Sequence, residues 1–307
     1  MSSTHDSLRR SLAPLLIALL AGPAAAQQQQ DFSKVEIRVE KVAGSVYMLT
    51  GLGGNIGLSV GADGVVVVDD QFAPLVPRIR EAIRGISPEP VRFVLNTHWH
   101  FDHSGGNAPF AAEATIIAHE NSRRRMRDGD PKQVAGYPVE PAVPEALPVI
   151  TFDRSLSVHL NGEEVRALHY PRGHTDGDSI IFFTRSKVVH MGDDFVPLEF
   201  PFVDVGSGGS LLGMIENLDA VLPLLPDDVK VIPGHGKLST KADVRKHTEM
   251  LRDCVARVRA ALREGQTLAQ MQQRNVLALY DAFGQDFVPT RDFIALIYSE
   301  LERPLAR

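Results

Sequence analysis

At 307 residues, with 44 % apolar and 23 % charged side chains, the chain can bury a sizeable core and has the composition of an ordinary globular protein. A net charge of −6, with no run of like charge longer than Arg123-Arg124-Arg125, excludes an electrostatic footprint for nucleic acid. Cys254 is the only cysteine, which excludes an internal disulfide.

The N-terminus reads as an export signal. Arg9 and Arg10 precede an apolar run from Leu12 to Ala21, and Ala24-Ala25-Ala26 offers a cleavage site before Gln27. The apolar run is too short for a membrane span of about 20 residues. Residues 1–26 are therefore expected to be removed, leaving a periplasmic or secreted chain with no membrane segment; the Arg9-Arg10 pair leaves a twin-arginine route open. Residues 27–34 read as a polar tether and residues 35–307 as one domain.

Val35 to Leu49 alternates like one or two edge strands, and Gly51 to Asn55 is a turn. Ile56 to Val60 and Val65 to Asp69 flank Gly61-Ala62-Asp63-Gly64 as a hairpin. Pro77 to Ile86 has helical spacing, and Val91 to Leu95 is a buried strand. Ala114 to Ala118 predicts a strand and Glu120 to Arg127 a short helix, on which the three arginines form a solvated face. Asp128 to Pro148, with five prolines, predicts a long loop of the kind that forms a lid or binding wall. Leu156 to Leu160 and Val165 to His169 are joined by Asn161-Gly162, a strong hairpin signal. Ser179 to Thr184 and Lys187 to Met191 form a further strand pair. A helix (Ser210 to Leu222), a strand (Val229 to Ile232) and three helices (Ser239 to Arg263, Leu268 to Leu279, Arg291 to Leu301) complete the chain. Strands on both sides of residue 100, each group followed by helices, predict an α/β fold with two mixed sheets packed face to face under outer helices.

The segment after Val91 to Leu95 carries most of the chemistry. Asn96-Thr97-His98-Trp99-His100-Phe101-Asp102-His103 places three imidazoles and a carboxylate within six positions after an apolar strand. Such a mixture of nitrogen and oxygen donors suits zinc, with iron or manganese behind it. Two further histidines end strands: His174 in Gly173-His174-Thr175 and His235 in Pro233-Gly234-His235-Gly236. These motifs, with Gly192-Asp193 between them, resemble the metallo-β-lactamase superfamily over roughly residues 40 to 250.

The resemblance implies a four-layer αββα sandwich with two zinc ions per chain along one open edge. His98, His100 and His174 would hold the first ion, Asp102, His103 and His235 the second, and Asp193 would bridge them. Asp194 is the alternative bridge. Asp69, at the end of a valine strand, is expected to hold a ligand histidine by its other nitrogen. His119, His159, His169, His190 and His247 are read as structural or exposed.

Two divalent ions against two carboxylates leave a surplus charge of +2, which favours a bound hydroxide as nucleophile, assisted by Asp102. The resemblance thus implies an exported zinc hydrolase of a cyclic amide or ester in a small-molecule substrate, most like a β-lactamase. Where β-lactamases carry a residue that anchors the substrate carboxylate, this chain has Phe195-Val196-Pro197; Arg172, near His174, is the residue expected to replace that anchor. The alternatives are a lactonase, thioesterase or phosphoester hydrolase on the same machinery, or an iron-dependent enzyme like the persulfide dioxygenases.

Overall fold

The computed structural model describes residues 31–134 and 137–302, so the expected signal segment and residues 27–30 lie outside the described residues. Phe32–Lys34, expected at the end of the tether, form a 3-10 turn fastened to the domain. Arg78 donates to the carbonyls of Phe32 and Ser33, and the Phe32 ring lies 5.2 Å from that of Phe72.

Strands β1 (Arg38–Ala43), β2 (Val46–Thr50), β3 (Ile56–Gly61) and β4 (Gly64–Val68) form an antiparallel meander. Helix α1 (Val76–Ile86) then carries the chain to β5 (Val91–Leu95), which lies parallel to β4. Two single-turn helices follow, α2 (Phe101–Ser104) and α3 (Asn107–Phe110), before β6 (Thr115–His119) and α4 (Glu120–Asp128). The expected proline loop contains a two-stranded ribbon, β7 (Asp130–Val134) with β8 (Tyr137–Val139). A ribbon has only edge strands, where a missing proline N–H need not interrupt a ladder. Strand β9 (Ile150–Phe152), which the sequence reading missed, joins β6 and completes a sheet ordered β1-β2-β3-β4-β5-β6-β9 among the described residues.

The second sheet contains β10 (Ser155–Leu160), β11 (Glu163–His169), β12 (Ser179–Phe183) and β13 (Val188–His190). After α5 (Leu211–Val221) come β14 (Lys230–Ile232), parallel to β13, and β15 (Ser239–Thr240). Asn161 and Gly162, which join β10 to β11, have φ of 58° and 67°, the left-handed pair that a tight hairpin requires. Helices α6 (Lys241–Arg263), α7 (Leu268–Arg274) and α8 (Thr290–Glu302) end the described chain. Helix α7 is shorter than its apolar spacing predicts, because Asn275 turns left-handed (φ 47°) and a 3-10 segment, Ala278–Gly284, takes over.

The strands sort their side chains by parity. Val66 and Val68 enter the core between the sheets with Ile181 and Phe183, whereas Val65 and Val67 face α1 with Ile79 and Ile83. On β12, Ile180 and Phe182 turn outward to meet Met214, Leu218 and Leu251 of α5 and α6. Each of these fully buried valines stabilises the fold by about 1.5–3 kcal/mol. Three apolar layers among four structural layers make the expected two mixed sheets flanked by helices. Helices α5 and α6 start at side-chain caps, Ser210 on the Gly213 amide and Thr240 in a reciprocal box with Asp243. No helix among the described residues is long and apolar enough to cross a membrane.

Candidate metal centre

The chain reverses or leaves its strands at one edge of the sandwich, and there the predicted residues meet. The loop after β5 supplies His98, His100, Asp102 and His103; the β11–β12 turn supplies His174. The 3-10 turn after β13 (Gly192–Asp194) supplies Asp193, and the turn after β14 supplies His235. Three overlapping groups have all their donor atoms within 4.8 Å of one another: His98, His100 and His174; Asp102, His103 and His235; and His98, His103 and Asp193. Each group joins residues that follow β5 of the first sheet to one that follows a strand of the second, so the cluster exists only when both sheets are assembled.

Contacts within the cluster are those of donors aimed at common points. His174 Nε2 lies 2.8 Å from His100 Nδ1, and His103 Nε2 lies 3.2 Å from His235 Nε2. Donor atoms about 2.0–2.1 Å from one tetrahedral ion stand roughly 3.3 Å apart. Asp193 is central: its oxygens lie 3.2 Å from His103 Nε2, 3.5 Å from His235 Nε2 and 3.6 Å from His174 Nε2. Asp102 Oδ2 lies 3.4 Å from His235 Nε2 and 3.7 Å from His103 Nε2. Buried His98 Nε2 and Asp193 Oδ1 have no hydrogen-bond partner, a cost the fold would avoid unless something else satisfied them. Five imidazoles and two carboxylates with orphaned inner atoms fit a pair of divalent ions.

The fold also fixes which nitrogen of each ring faces inward. His103 Nδ1 donates to Asp69 Oδ2 (2.8 Å), and His100 Nε2 donates to Asp204 Oδ2 (3.0 Å). His174 Nδ1 donates to the Phe202 carbonyl (2.7 Å). His98 Nδ1 donates to Thr97 Oγ1 (3.0 Å), whose hydroxyl donates to Asp69 Oδ2 (2.8 Å). In four rings the outer nitrogen is thereby held on a hydrogen-bond partner, which leaves the inner one, Nδ1 for His100 and Nε2 for the others, as the atom that would meet an ion. Asp69 meets its sequence expectation. It sits at φ 62°, fully buried, and also accepts from the Thr97 amide at 2.7 Å.

Charge in the cluster is strongly coupled. Burial opposes ionisation of Asp102, but His103 and His235 hold its carboxyl down at about 2. Burial opposes charge on His235, yet Asp193 and Asp102 push it up to about 10. His174 is driven to about 4 chiefly by burial, and His98 falls well below its usual range through burial and the neighbouring imidazoles. Asp193 is held well below the carboxylate range by His103, His235 and His174 against its burial. Asp194 points away from the cluster: burial raises it to about 7, Oδ1 accepts from the His174 amide at 3.3 Å, and a Cβ on Gly173 would collide with it. Of the two candidate bridges, only Asp193 faces the donor atoms.

Several supporting residues were not read from sequence. Gly54 lies so close to the His103 ring that a Cβ there would overlap it, which fixes the Gly51–Asn55 turn as a site wall. Asn55 Nδ2 donates to the carbonyls of Pro233 (2.9 Å) and Gly236 (3.0 Å), clasping the His235 turn to the first sheet. Arg125, expected on a solvated face, is bidentate on Asp176 (2.7 and 2.8 Å), two residues past His174. Arg124 adds a bond of 3.1 Å, and Asn121 donates to the Asp176 carbonyl at 2.7 Å, so α4 clamps the His174 turn. Arg172, two residues before His174, is exposed at φ 57°, with its carbonyl and Cβ against Gly213 in the first turn of α5.

The histidines expected to be structural or exposed are so placed. His190 Nε2 donates to the Asn55 carbonyl (2.9 Å), tying the sheets together, and His119 stacks on His169 at 3.6 Å. His159 is exposed.

A sandwich of two mixed sheets with this donor set at one edge defines a metallohydrolase class, and the chain belongs to the metallo-beta-lactamase superfamily, whose family model matches residues 49–235. It is 28 % identical over 162 residues to 2,4-dinitroanisole O-demethylase subunit alpha of Nocardioides sp. (strain JS1661), covering 50 % of this chain and 45 % of that one. It is 28 % identical over 178 residues to a hydroxyacylglutathione hydrolase of Methylococcus capsulatus, covering 56 % of this chain and 60 % of the relative. The chain thus spans about half the length of the curated relatives it matches. Among solved structures, a metallo-beta-lactamase from Pontibacter korlensis shares the fold with a TM-score of 0.59 at 16 % identity, covering 71 % of this chain and 99 % of that one. The stereoselective inverting sec-alkylsulfatase Pisa1 from Pseudomonas sp. superposes with a TM-score of 0.64 at 16 % identity, covering 87 % of this chain and 50 % of that one.

Proposed function

We propose that the chain is a hydrolase dependent on two zinc ions, acting on the carbonyl of a cyclic amide or ester in the manner of a β-lactamase. One observation carries this reading: seven donors converge, four of their rings held at the outer nitrogen, while Asp102 and His235 remain partly open, at 23 % and 34 % side-chain exposure. His98, His100 and His174 would hold one ion, Asp102, His103 and His235 the other, with Asp193 between. When bound, such a pair supplies Lewis-acid polarisation of a carbonyl and brings the pKa of water to about 7. Asp102, ionised at neutral pH and partly facing solvent, orients the attacking water. Asp69, Asp204 and the Phe202 carbonyl keep the imidazoles from rotating as charge develops.

The experiment is a parallel assay of zinc-loaded protein against a chromogenic β-lactam, an acyl-homoserine lactone and a phosphodiester, with metal analysis of the protein as purified. Turnover of the first two with zinc bound supports the reading. Turnover of the phosphodiester alone moves the activity to phosphoester hydrolysis, and iron as the native metal favours the dioxygenase-like alternative. Export is proposed on the sequence alone, and a chain beginning at Gln27 in a periplasmic fraction is its test.

A further inference from the structure

Among the described residues, large apolar side chains left in water are few, and two of them stand at the margins of the metal centre. Phe287 is 61 % exposed and Leu198 is 77 % exposed. Phe287 lies between the 3-10 segment Ala278–Gly284 and α8, beyond the stretch matched by the family model. Its ring stands 5.5 Å from Phe202 in a T-shaped contact; the Phe202 ring is 5.8 Å from His174 and 6.2 Å from His100. A single aromatic ring therefore separates Phe287 from two predicted ligands. On the other flank, Leu198 follows Pro197, which packs near Gly236 beside His235. Leu198 sits at φ 66°, a left-handed conformation that residues other than glycine rarely adopt.

This rim is built rather than incidental. The loop carrying Leu198 and Phe202 is fastened to the C-terminal segment: the Phe200 amide donates to the Phe283 carbonyl at 3.0 Å, and the Phe200 ring stacks on Phe293 at 4.2 Å. Phe202 also packs into the small cluster of Trp99 and Met126. Exposed apolar surface continuous with a polar site serves ligand contact rather than core formation.

We propose that Phe287 and Leu198 are specificity-determining residues: with Phe202 they receive the apolar part of the substrate, an aryl or branched-alkyl group attached to the carbonyl that is hydrolysed. The assignment of a carbonyl substrate rests on the function proposed above. Contact with the wall itself does not, because an unreactive ligand reports it equally well.

Two measurements on the zinc-loaded protein test the wall. In the first, γ-phenyl-γ-butyrolactone and γ-butyrolactone are compared as substrates. The parent should prefer the phenyl lactone in kcat/KM by about tenfold or more, as expected of a few methylene-sized apolar contacts. Phe287→Ala should remove most of that preference through KM, Phe287→Leu should keep most of it, and zinc content and melting temperature should not change. In the second, fluorescence of Trp99, the only tryptophan, is titrated with cyclohexanecarboxamide and with acetamide. The parent should bind the former more tightly, and Phe287→Ala and Leu198→Ala should each weaken it severalfold. If neither lactone nor any other carbonyl substrate is hydrolysed, the function reading fails, and the titration alone decides the wall. Equal binding of the two amides, or equal losses for both on Phe287→Ala, overturns it.

Discussion

Asp69→Asn isolates the role of one buried carboxylate without changing its shape. Asp69 accepts three hydrogen bonds, from the Thr97 amide (2.7 Å), the Thr97 hydroxyl (2.8 Å) and His103 Nδ1 (2.8 Å). A carboxamide keeps one acceptor oxygen. If that oxygen stays on the Thr97 amide, the new NH2 faces His103 Nδ1, and the imidazole must move its proton to Nε2, the atom facing Asp193 and His235. If the amide is turned round, its NH2 meets the Thr97 N–H instead. Either way a charge-assisted bond of about 1.5–3 kcal/mol is lost. At 1.4 kcal/mol per decade this is about ten- to a hundredfold in affinity, the range seen when outer hydrogen-bond partners of metal ligands are removed. Zinc titration against a chromophoric chelator should show the site of Asp102, His103 and His235 weakened by that factor. The site of His98, His100 and His174 should weaken less, through Thr97 only. Unchanged affinity at both sites in a protein of parental melting temperature would refute tautomer selection by Asp69.

Asp193→Ala should bring metal content towards one ion per chain and cut turnover by orders of magnitude, whereas Asp194→Ala should leave two ions bound; the opposite pattern in plasma emission analysis would move the bridge to Asp194. Gly54→Ala should lower zinc occupancy with little change in the far-UV spectrum, since the added methyl lands on the His103 ring; full occupancy would contradict the close approach. His247 is buried against Phe195, with neither ring nitrogen bonded, and burial holds its pKa at about 4. His247→Leu removes that unsatisfied polarity and should stabilise the fold by about 1–3 kcal/mol at pH 7, seen as a rise in melting temperature of roughly 2–4 °C per kcal/mol. Because the unfolded histidine titrates near 6.5, the unfolded chain alone takes a proton as pH falls from about 6.5 to 4. The parent should lose up to about 3 kcal/mol across that window. The variant should lack that part of the slope in urea titrations, and parallel slopes would place His247 in contact with solvent.

Much of the molecule was written locally in the chain. An unbroken valine run beside the Gly61 to Gly64 turn placed Val65 to Val68 on a strand, Asn161-Gly162 specified a second hairpin, and the clustered ligand types from His98 to His103 announced metal before any fold was known. His174 and His235 were legible because each closes a short motif at the end of an apolar run. Such signals have periods of a few residues, and sequence displays them directly.

What sequence could not display was the choice of partner across the chain. Asp204 is 104 positions from His100, and no spacing rule joins them. The Phe202 carbonyl that orients His174 has no side-chain signature, and Gly54 matters for what it lacks. Arg125 looked like one more charge on a solvated helix until the β11–β12 turn brought Asp176 beneath it. Which nitrogen of each imidazole faces inward, and which of Asp193 and Asp194 enters the cluster, depends on backbone turns set by the packing of both sheets. Sequence by itself determined that strands and clustered side chains of ligand type are present; the tertiary structure decided their orientation, because a hydrogen bond is directional and its donor and acceptor are brought together only when distant strands pack.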